Sequence, residues 1–378
     1  MILVFNSGSS SLKFALFNQT ANRKLIAGNI ERIGLDKNII SFSIGNKYYQ
    51  EILSKRIKNH IEAVQVVCLF LIWQGYNLSA IKKIGHRVVH GGGKFWQPVK
   101  LNAKIIKQLV KFNSLAPLHN PINLEVIKIC QKYFPKIDQY ACFDTEWYQN
   151  MPPENYLYSL PEKLFKEYGI RQFGFHGLSH EYAAKQAAAL LGKPLKKLNL
   201  ITCHLGSGGS ITAVKNGQAI ETSMGFTPLA GLSMSSRAGD VDANIPLYLI
   251  REKKLSPDKV FNILNKESGW QALSGVSDFR QIMVDGGFKV PGFSPRKSKD
   301  QRMKSKLVLY RYVREVKFYI GGFLALLDNQ VDALVFTGAI GGANADFRKL
   351  VLNKLLVKKI KVFNFITDEE TVIAHKLK

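Results

Sequence analysis

The sequence contains no apolar run that approaches a membrane span. Its longest candidates, residues 64–73 and 319–327, reach about half of the roughly 18 residues required and read as buried helix segments. The opening MILVFNS lacks a basic leader and a small-residue cleavage site, so it reads as a first strand and not as a signal peptide. Cysteine is scarce. The four residues, Cys68, Cys130, Cys142 and Cys203, form no CxxC pair, which argues against a disulfide scaffold and a zinc site. Reduced, buried thiols in a cytoplasmic protein are expected. Acidic residues are also in short supply, 28 against 53 Lys and Arg, giving a net charge of +25. Such an excess raises the question of nucleic-acid binding. The basic residues are nevertheless dispersed over 55–58, 82–83, 104–111, 193–197, 296–306 and 354–361, with no nucleic-acid module around them. A solvated basic surface without a specific nucleic-acid partner is the expectation.

What the chain does have, it has twice. Residues 2–17 read as apolar strand, Ser/Gly turn and second strand, and residues 198–214 repeat the device half a chain later. A Gly/Ser turn between buried strands presents backbone N–H groups and small hydroxyls without bulky side chains, a concavity suited to phosphate oxygens. One copy is an ordinary hairpin. Two copies, one in each half, predict a duplicated α/β fold that handles ATP. Further strands are expected at 26–33 and 39–44, and a helix over 59–74 with Ile61, Val64, Cys68 and Leu71 on its apolar face.

The four-residue spacing of His86 and His90 lies in a β-branched strand and lacks a general-base glutamate, so no metal site is read there. Residues 90–95, HGGGKF, are not a phosphate loop of the Walker type, because the leading glycine spacing and the hydroxyl after Lys94 are missing. His119 precedes Asn120 and Pro121, a plausible N-cap and first helical residue, and would sit at an anion-attracting helix terminus. His176 repeats that placement ahead of an Ala-rich helix stopping at Gly192. Asp144 ends a strand, where open α/β sheets place ligand-binding groups. Met151, Pro152 and Pro153 read as a hinge between lobes, 287–306 as an exposed basic loop, and 333–344 as another glycine-rich turn. Thr367 to Glu370 fits a capping box on a short last helix, which accounts for Glu370 and leaves Glu369 available.

Taken in order, NSGSSSLKF, GHRVVHGG, APLHNPIN, FDT, FGFHGLSH, TCHLGSGGSIT, ETSMGFTPLAGL, SRAGDVDANIPLYL and DALVFTGAIG resemble the motifs of the acetate and propionate kinase family across nearly the whole chain. The resemblance implies a duplicated two-lobe, actin-like ATPase fold with an interlobe active-site cleft. It implies an N-terminal lobe over 1–150, with 367–378 packing back on it, and a nucleotide-binding lobe over 151–366. The implied reaction is reversible transfer from ATP to acetate, with Mg²⁺ (Mn²⁺ as an alternative), in a cytoplasmic homodimer. By motif, Asn6 and Glu369 would neighbour the metal, Lys13 the nucleotide phosphates, and Arg87 the carboxylate or acyl phosphate, with His119 beside it. Asp144 would serve as acid/base or orienting group, and His176 and Arg237 would stabilise the transferring phosphoryl. His204, Leu205, Gly206, Ser207 and Gly208, then Asp278, Phe279 and Arg280, then Ala339, Ile340, Gly341, Gly342 and Ala343 would contact ATP.

The chain departs from the family pattern at several points. Ser207 replaces a usual Asn, Ala230 a usual Glu, and Gly342 with Ala343 a usual Glu and Asn pair. The turn before Asp278 is one residue shorter, and DTEWY stands for DTAFH. These changes cluster on the adenosine side and imply altered nucleotide preference. The competing readings are a propionate or other short-chain acyl kinase, and a non-catalytic basic paralogue with a regulatory or nucleic-acid-binding role.

Overall fold

The apolar opening forms β1 (Ile2–Ser7), which turns at the Gly/Ser loop into antiparallel β2 (Ser11–Phe17). Asn6 pairs with Lys13 across this hairpin, so the two lie side by side. The meander continues through β3 (Lys24–Glu31), β4 (Ile39–Ile44) and β5 (Lys47–Ile52). β5 was not foreseen; every side chain in it is exposed, so no apolar alternation marks it. β6 (Lys83–Val88) and β8 (Asp138–Phe143) join β1 in parallel, and the two-residue β7 (Val99–Lys100) closes the edge, giving the order β5-β4-β3-β2-β1-β6-β8-β7.

The second sheet repeats the plan. β9 (Leu200–Leu205), β10 (Gly209–Lys215) and β11 (Gln218–Thr222) form an antiparallel meander, and β12 (Ala333–Thr337) and β13 (Lys361–Asn364) run parallel to β9. In both sheets the order is third, second and first strand, followed by two parallel strands. The duplication read from the two hairpins is therefore a duplication of topology. The structure, a computed structural model, describes all residues except 46, 54–55 and 356–359, so the basic stretches 55–58 and 354–361 lie partly outside the described residues. The chain divides into two compact units, Met1–Gln149 with Asp368–Lys378, and Asn150–Thr367.

In the first unit, alternation along β1 sends Leu3 and Phe5 into a core with Val64, Val67, Leu71, Val126 and Cys130 of helices His60–Trp73 and Asn120–Tyr133. The other face receives the C-terminal helix Glu369–Lys376, which packs on β1 and β6. Gly85 of β6 permits that approach: a Cβ there would lie 2.5 Å from Ile373 Cγ2 and 2.9 Å from Leu377 Cδ1. Lys376 adds an ion pair to Glu146 at 2.8 Å. The second unit is organised around the 28-residue helix Lys299–Leu326, whose Val308, Leu309, Tyr312 and Val316 meet Ile201, Cys203, Ile211 and Phe336 of the sheet. All four cysteines are buried free thiols, and burial raises Cys68 to about 11.

Three local expectations are corrected. The basic segment 287–306 is a loop only up to Ser298; from Lys299 it is helix, capped by the Ser298 hydroxyl. Asn120 is not a cap but the first helical residue: its amide donates to His90 O at 2.9 Å and accepts from His90 N at 3.0 Å, clamping a buried bend. The last helix is capped by Asp368, because Thr367 is already engaged, its hydroxyl accepting from Gly338 N at 2.9 Å.

Gly85→Val should lower unfolding stability by about 1–3 kcal/mol through overpacking against the last helix. It should also make residues 368–378 sensitive to protease before the rest of the first unit. Urea titration and timed proteolysis measure the two effects, and wild-type behaviour in both would remove the helix's dependence on this contact.

Candidate active site

In the first unit the polar ends of β1, β6 and β8 meet the start of the last helix. Arg87, next to last in β6, donates from Nε to Asp144 Oδ1 at 2.8 Å and from Nη2 to Asp144 Oδ2 at 2.6 Å. Its Nη1 donates to Glu369 Oε2 at 2.8 Å and to Asn6 Oδ1 at 3.2 Å. Asn6 in turn donates from Nδ2 to Glu369 Oε2 at 2.8 Å and to Glu370 Oε1 at 2.7 Å. Four residues matched by motif, Asn6, Arg87, Asp144 and Glu369, are thus brought into one network, although Asn6 and Glu369 are 363 positions apart. Glu370, assigned from sequence to capping alone, belongs to it as well. Nothing in the spacing pointed there; only two adjacent glutamates offered a hint.

The network is nearly dry. The Asp144 side chain is 1% exposed, Glu369 6% and Arg87 18%. Burial pushes the Asp144 carboxyl up, with the Glu369 charge adding to it, while the Arg87 fork opposes the shift. Arg87 is desolvated too, but the surrounding carboxylates outweigh that and hold its proton more tightly than usual. Of the five N–H bonds of a guanidinium, four are spent among the described residues, leaving one on Nη2. Both Asp144 oxygens face Arg87, which makes Asp144 an orienting group for that arginine.

Beside the network is a cavity of about 190 Å³ lined by Lys13, Asn29, Ser41, Phe42, Tyr48 and Glu370, among others. Lys13 reaches it from the position opposite Asn6. The oxygens of Asn6, Glu369 and Glu370 are hard donors that suit Mg²⁺. Among the described residues no group of three or more His, Cys, Asp or Glu could hold a metal alone. His119, read from sequence as preceding an Asn120 cap, is itself the N-cap residue of helix Asn120–Tyr133. His86, by contrast, is a core residue: its Nε2 meets Gln139 at 2.9 Å and burial lowers its pKa to about 4.

In the second unit, β9 and β10 frame the turn 206–208, closed by Gly206 N donating to Gly208 O at 2.9 Å. His176 precedes helix Gly177–Leu191 with φ +55°, a left-handed conformation that a non-glycine residue adopts at a cost of about 1–3 kcal/mol. That geometry aims the imidazole at the turn: a Cβ on Gly208 would lie 3.3 Å from His176 Nε2. The His204 ring stacks on it, with centroids 4.3 Å apart. Ser207 O accepts from Ser235 N at 3.1 Å, tying the turn to the segment that carries Arg237. Arg237 donates to Pro228 O at 3.1 Å, and burial lowers its pKa.

The remaining residues matched by motif are less uniform. Asp278 caps helix Phe279–Asp285, and Arg280 folds back on it at 2.7 Å. Leu205, Phe279 and Ile340 have side chains in the apolar core, where Phe279 touches Trp270, Tyr312 and Phe347. Any contact these three make with a nucleotide goes through the backbone. Residues 339–343, covering most of a short helix (Gly338–Gly341) and the turn after it, are held by Arg348, which donates to both Gly341 O and Gly342 O at 2.8 Å. Gly342 is boxed in: a Cβ would lie 2.3 Å from Phe365 O and 2.9 Å from Gly338 O. The glutamate usual in the family therefore has no room here. Sequence reading also missed Ser179, His180, Thr202 and Ser210, which surround His176 and His204; the only signal was a second histidine four residues after His176.

Two outcomes follow from this geometry. Arg87→Met should cost about 3–5 kcal/mol of stability by leaving buried carboxylates unpaired, and adding Asp144→Asn should recover part of the loss. Chemical denaturation of both variants checks this, and a fully stable Arg87→Met would contradict the network. Gly342→Ala should destabilise by about 1–3 kcal/mol, whereas Ala343→Asn, at an exposed position, should leave the denaturation midpoint unchanged.

The family model described as the acetokinase family matches residues 1–376. An acetate kinase of Clostridium botulinum (strain Hall) is 40% identical over 405 residues, covering 100% of this chain and 98% of its own. A propionate kinase structure from Francisella tularensis has 34% identity and a TM-score of 0.87, covering 99% of this chain and 98% of that one. The acetate kinase structure from Porphyromonas gingivalis has 33% identity and a TM-score of 0.83, with 99% and 97% covered. The chain belongs to the acetokinase family, and it is a kinase.

Proposed function

We propose that this chain catalyses the reversible reaction of ATP and acetate to ADP and acetyl phosphate. The observation that carries this reading is the Arg87 network, in which a half-buried guanidinium with one remaining N–H stands beside hard oxygen donors and a lysine. An acetate carboxylate is already ionised and needs no general base. It needs alignment with the phosphorus and positive charge around the equatorial oxygens.

In this reading the last Nη2 N–H of Arg87 orients the carboxylate nucleophile, and Asp144 keeps the guanidinium in place. His119, at its helix terminus, lies toward the acyl group. Lys13 and the backbone N–H groups of Ser207 and Gly208 take the nucleotide phosphates, with His204, Ser207 and residues 339–343 extending toward the nucleoside. Asn6 and Glu369 would hold Mg²⁺, which when bound neutralises phosphate charge. His176 Nε2 and Arg237 donate to the phosphoryl oxygens as the group becomes planar. Propionate is the second acceptor to consider, since a propionate kinase is among the similar structures; one methylene is worth only about 1–3 kcal/mol in an apolar pocket.

We also propose a homodimer. Met303, Leu307, Tyr310 and Phe318 on helix Lys299–Leu326 are 48–74% exposed, a row of large apolar side chains without cover in one chain. Among the described residues no helix is long and apolar enough to cross a membrane, and the buried reduced thiols support a cytoplasmic setting.

Acetyl phosphate formation from ATP with acetate, propionate and butyrate, with and without Mg²⁺, tests the proposal; no turnover of any acid would overturn it. His176→Ala and Arg237→Ala should each lower kcat by about a hundredfold or more with little change in KM. Unchanged kcat with a large rise in KM would move them to ground-state binding. GTP should replace ATP with kcat/KM within about tenfold, because Gly342 and Ala343 supply no polar arms toward the base. Strong selectivity for ATP would show that this loop does not govern base choice.

A further inference from the structure

The imidazole of His176 ends a chain of hydrogen bonds that starts in the core of the second unit. Thr202 Oγ1 and His180 Nδ1 are 2.7 Å apart. His180 Nε2 and Ser210 Oγ are 2.8 Å apart, and Ser210 Oγ and His176 Nδ1 are again 2.8 Å apart. Thr202, Ser210 and His180 are fully buried. Burial, reinforced by His204, holds the His180 pKa well below its ordinary value, so this ring is neutral and carries one proton.

Only one arrangement of protons satisfies both hydroxyls. Among the described residues the Thr202 hydroxyl meets only His180 Nδ1, and the Ser210 hydroxyl meets only the two imidazoles. For the Thr202 hydrogen to be bonded it must be donated to His180 Nδ1. His180 then carries its proton on Nε2 and donates it to Ser210. Ser210 donates its own hydrogen onward to His176 Nδ1. A neutral His176 must then carry its proton on Nε2, the atom beside Gly208. The reverse direction strands the Thr202 hydrogen in the interior, at the desolvation cost of an unmade hydrogen bond.

We infer that Thr202, His180 and Ser210 are positioning residues that lock His176 in the Nε2–H tautomer, so that a neutral imidazole presents a hydrogen-bond donor at the phosphate-facing turn. The inference rests on the reading of His176 as a donor to the phosphoryl group, but its structural half stands apart from that reading. The left-handed backbone of His176 serves the same end, because it turns the ring back to Ser210 on β10. Thr202 on β9 lies two side chains away and exerts its influence entirely through the chain.

The test reads the tautomer directly. The full chain, labelled with ¹⁵N-histidine and assigned with the His176→Ala variant, should show an unprotonated, pyridine-type Nδ1 and a protonated, pyrrole-type Nε2 for His176 at neutral pH. Thr202→Val, close in shape but without a hydroxyl, should broaden or mix these signals and lower kcat about tenfold with KM for ATP and acetate within twofold. Thr202→Ser should restore both the spectrum and the rate. Ser210→Ala, which cuts the chain one step closer, should shift the signals if Thr202→Val folds poorly. An Nδ1–H tautomer in the unaltered protein, or an unchanged spectrum in Thr202→Val and Ser210→Ala, would overturn the assignment. A shifted tautomer with full kcat would overturn the link to phosphoryl transfer while leaving the hydrogen-bond direction intact.

Discussion

The Arg87 guanidinium is the contact on which the first unit's site depends. Its charge lies in a poorly hydrated place where an isolated ion would be expensive, and Asp144 and Glu369 make it tolerable. The dependence is mutual. Asp144, just after β8, and Glu369, at the start of the last helix, are buried carboxyl groups whose oxygens accept from that guanidinium. Because Glu369 arrives from the far end of the chain, the charge network and the packing of the C-terminal helix over Gly85 are one constraint. Loss of Arg87 is therefore a structural event, and kinetic parameters of such a variant carry meaning only beside its stability.

Around His176 and His204 the second unit relies on hydrogen bonds between imidazoles and hydroxyls. Three histidines, two serines and a threonine lie against one hairpin, joined by bonds of 2.7–2.8 Å. Neutral groups in such a chain cost less to bury than ions and still aim a proton. The glycines of the turn make this useful, since Gly208 leaves room for His176 Nε2 where any side chain would stand in close contact. The two copies of one topology thus present different chemistry: a charged network at the first hairpin, a neutral relay at the second.

The departures from the family pattern also separate by their surroundings. Ser207 keeps the backbone of its turn, and its carbonyl still anchors the Arg237 segment. Gly342 is of another kind. With the Phe365 carbonyl occupying the space that a Cβ would need, the chain has closed over the position, and Arg348 holds the neighbouring carbonyls there. Reinstating the usual glutamate alone would meet backbone.

Much was legible before any fold was known. The paired Gly/Ser turns announced a duplication because a tight turn between apolar runs is a local property, and both sheets carry it in the same order. Helix His60–Trp73 followed from periodicity, which is local too, and the strand read as ending at Asp144 stops one residue earlier, at Phe143. The motif resemblance named Asn6, Arg87, Asp144 and Glu369 separately, without their mutual bonds. Local rules failed where a side chain had two possible partners. Asn120, Thr367 and Glu370 all fit helix-end roles by spacing, yet each is spent on a distant group: His90, Gly338 and Asn6. β5 and the start of helix Lys299–Leu326 were missed because exposed residues carry no burial pattern. What the sequence determined alone was the set of elements and the residue types at the site. Which donor meets which acceptor was decided by tertiary structure, because hydrogen bonds across hundreds of positions depend on strand order and helix docking that no local spacing encodes.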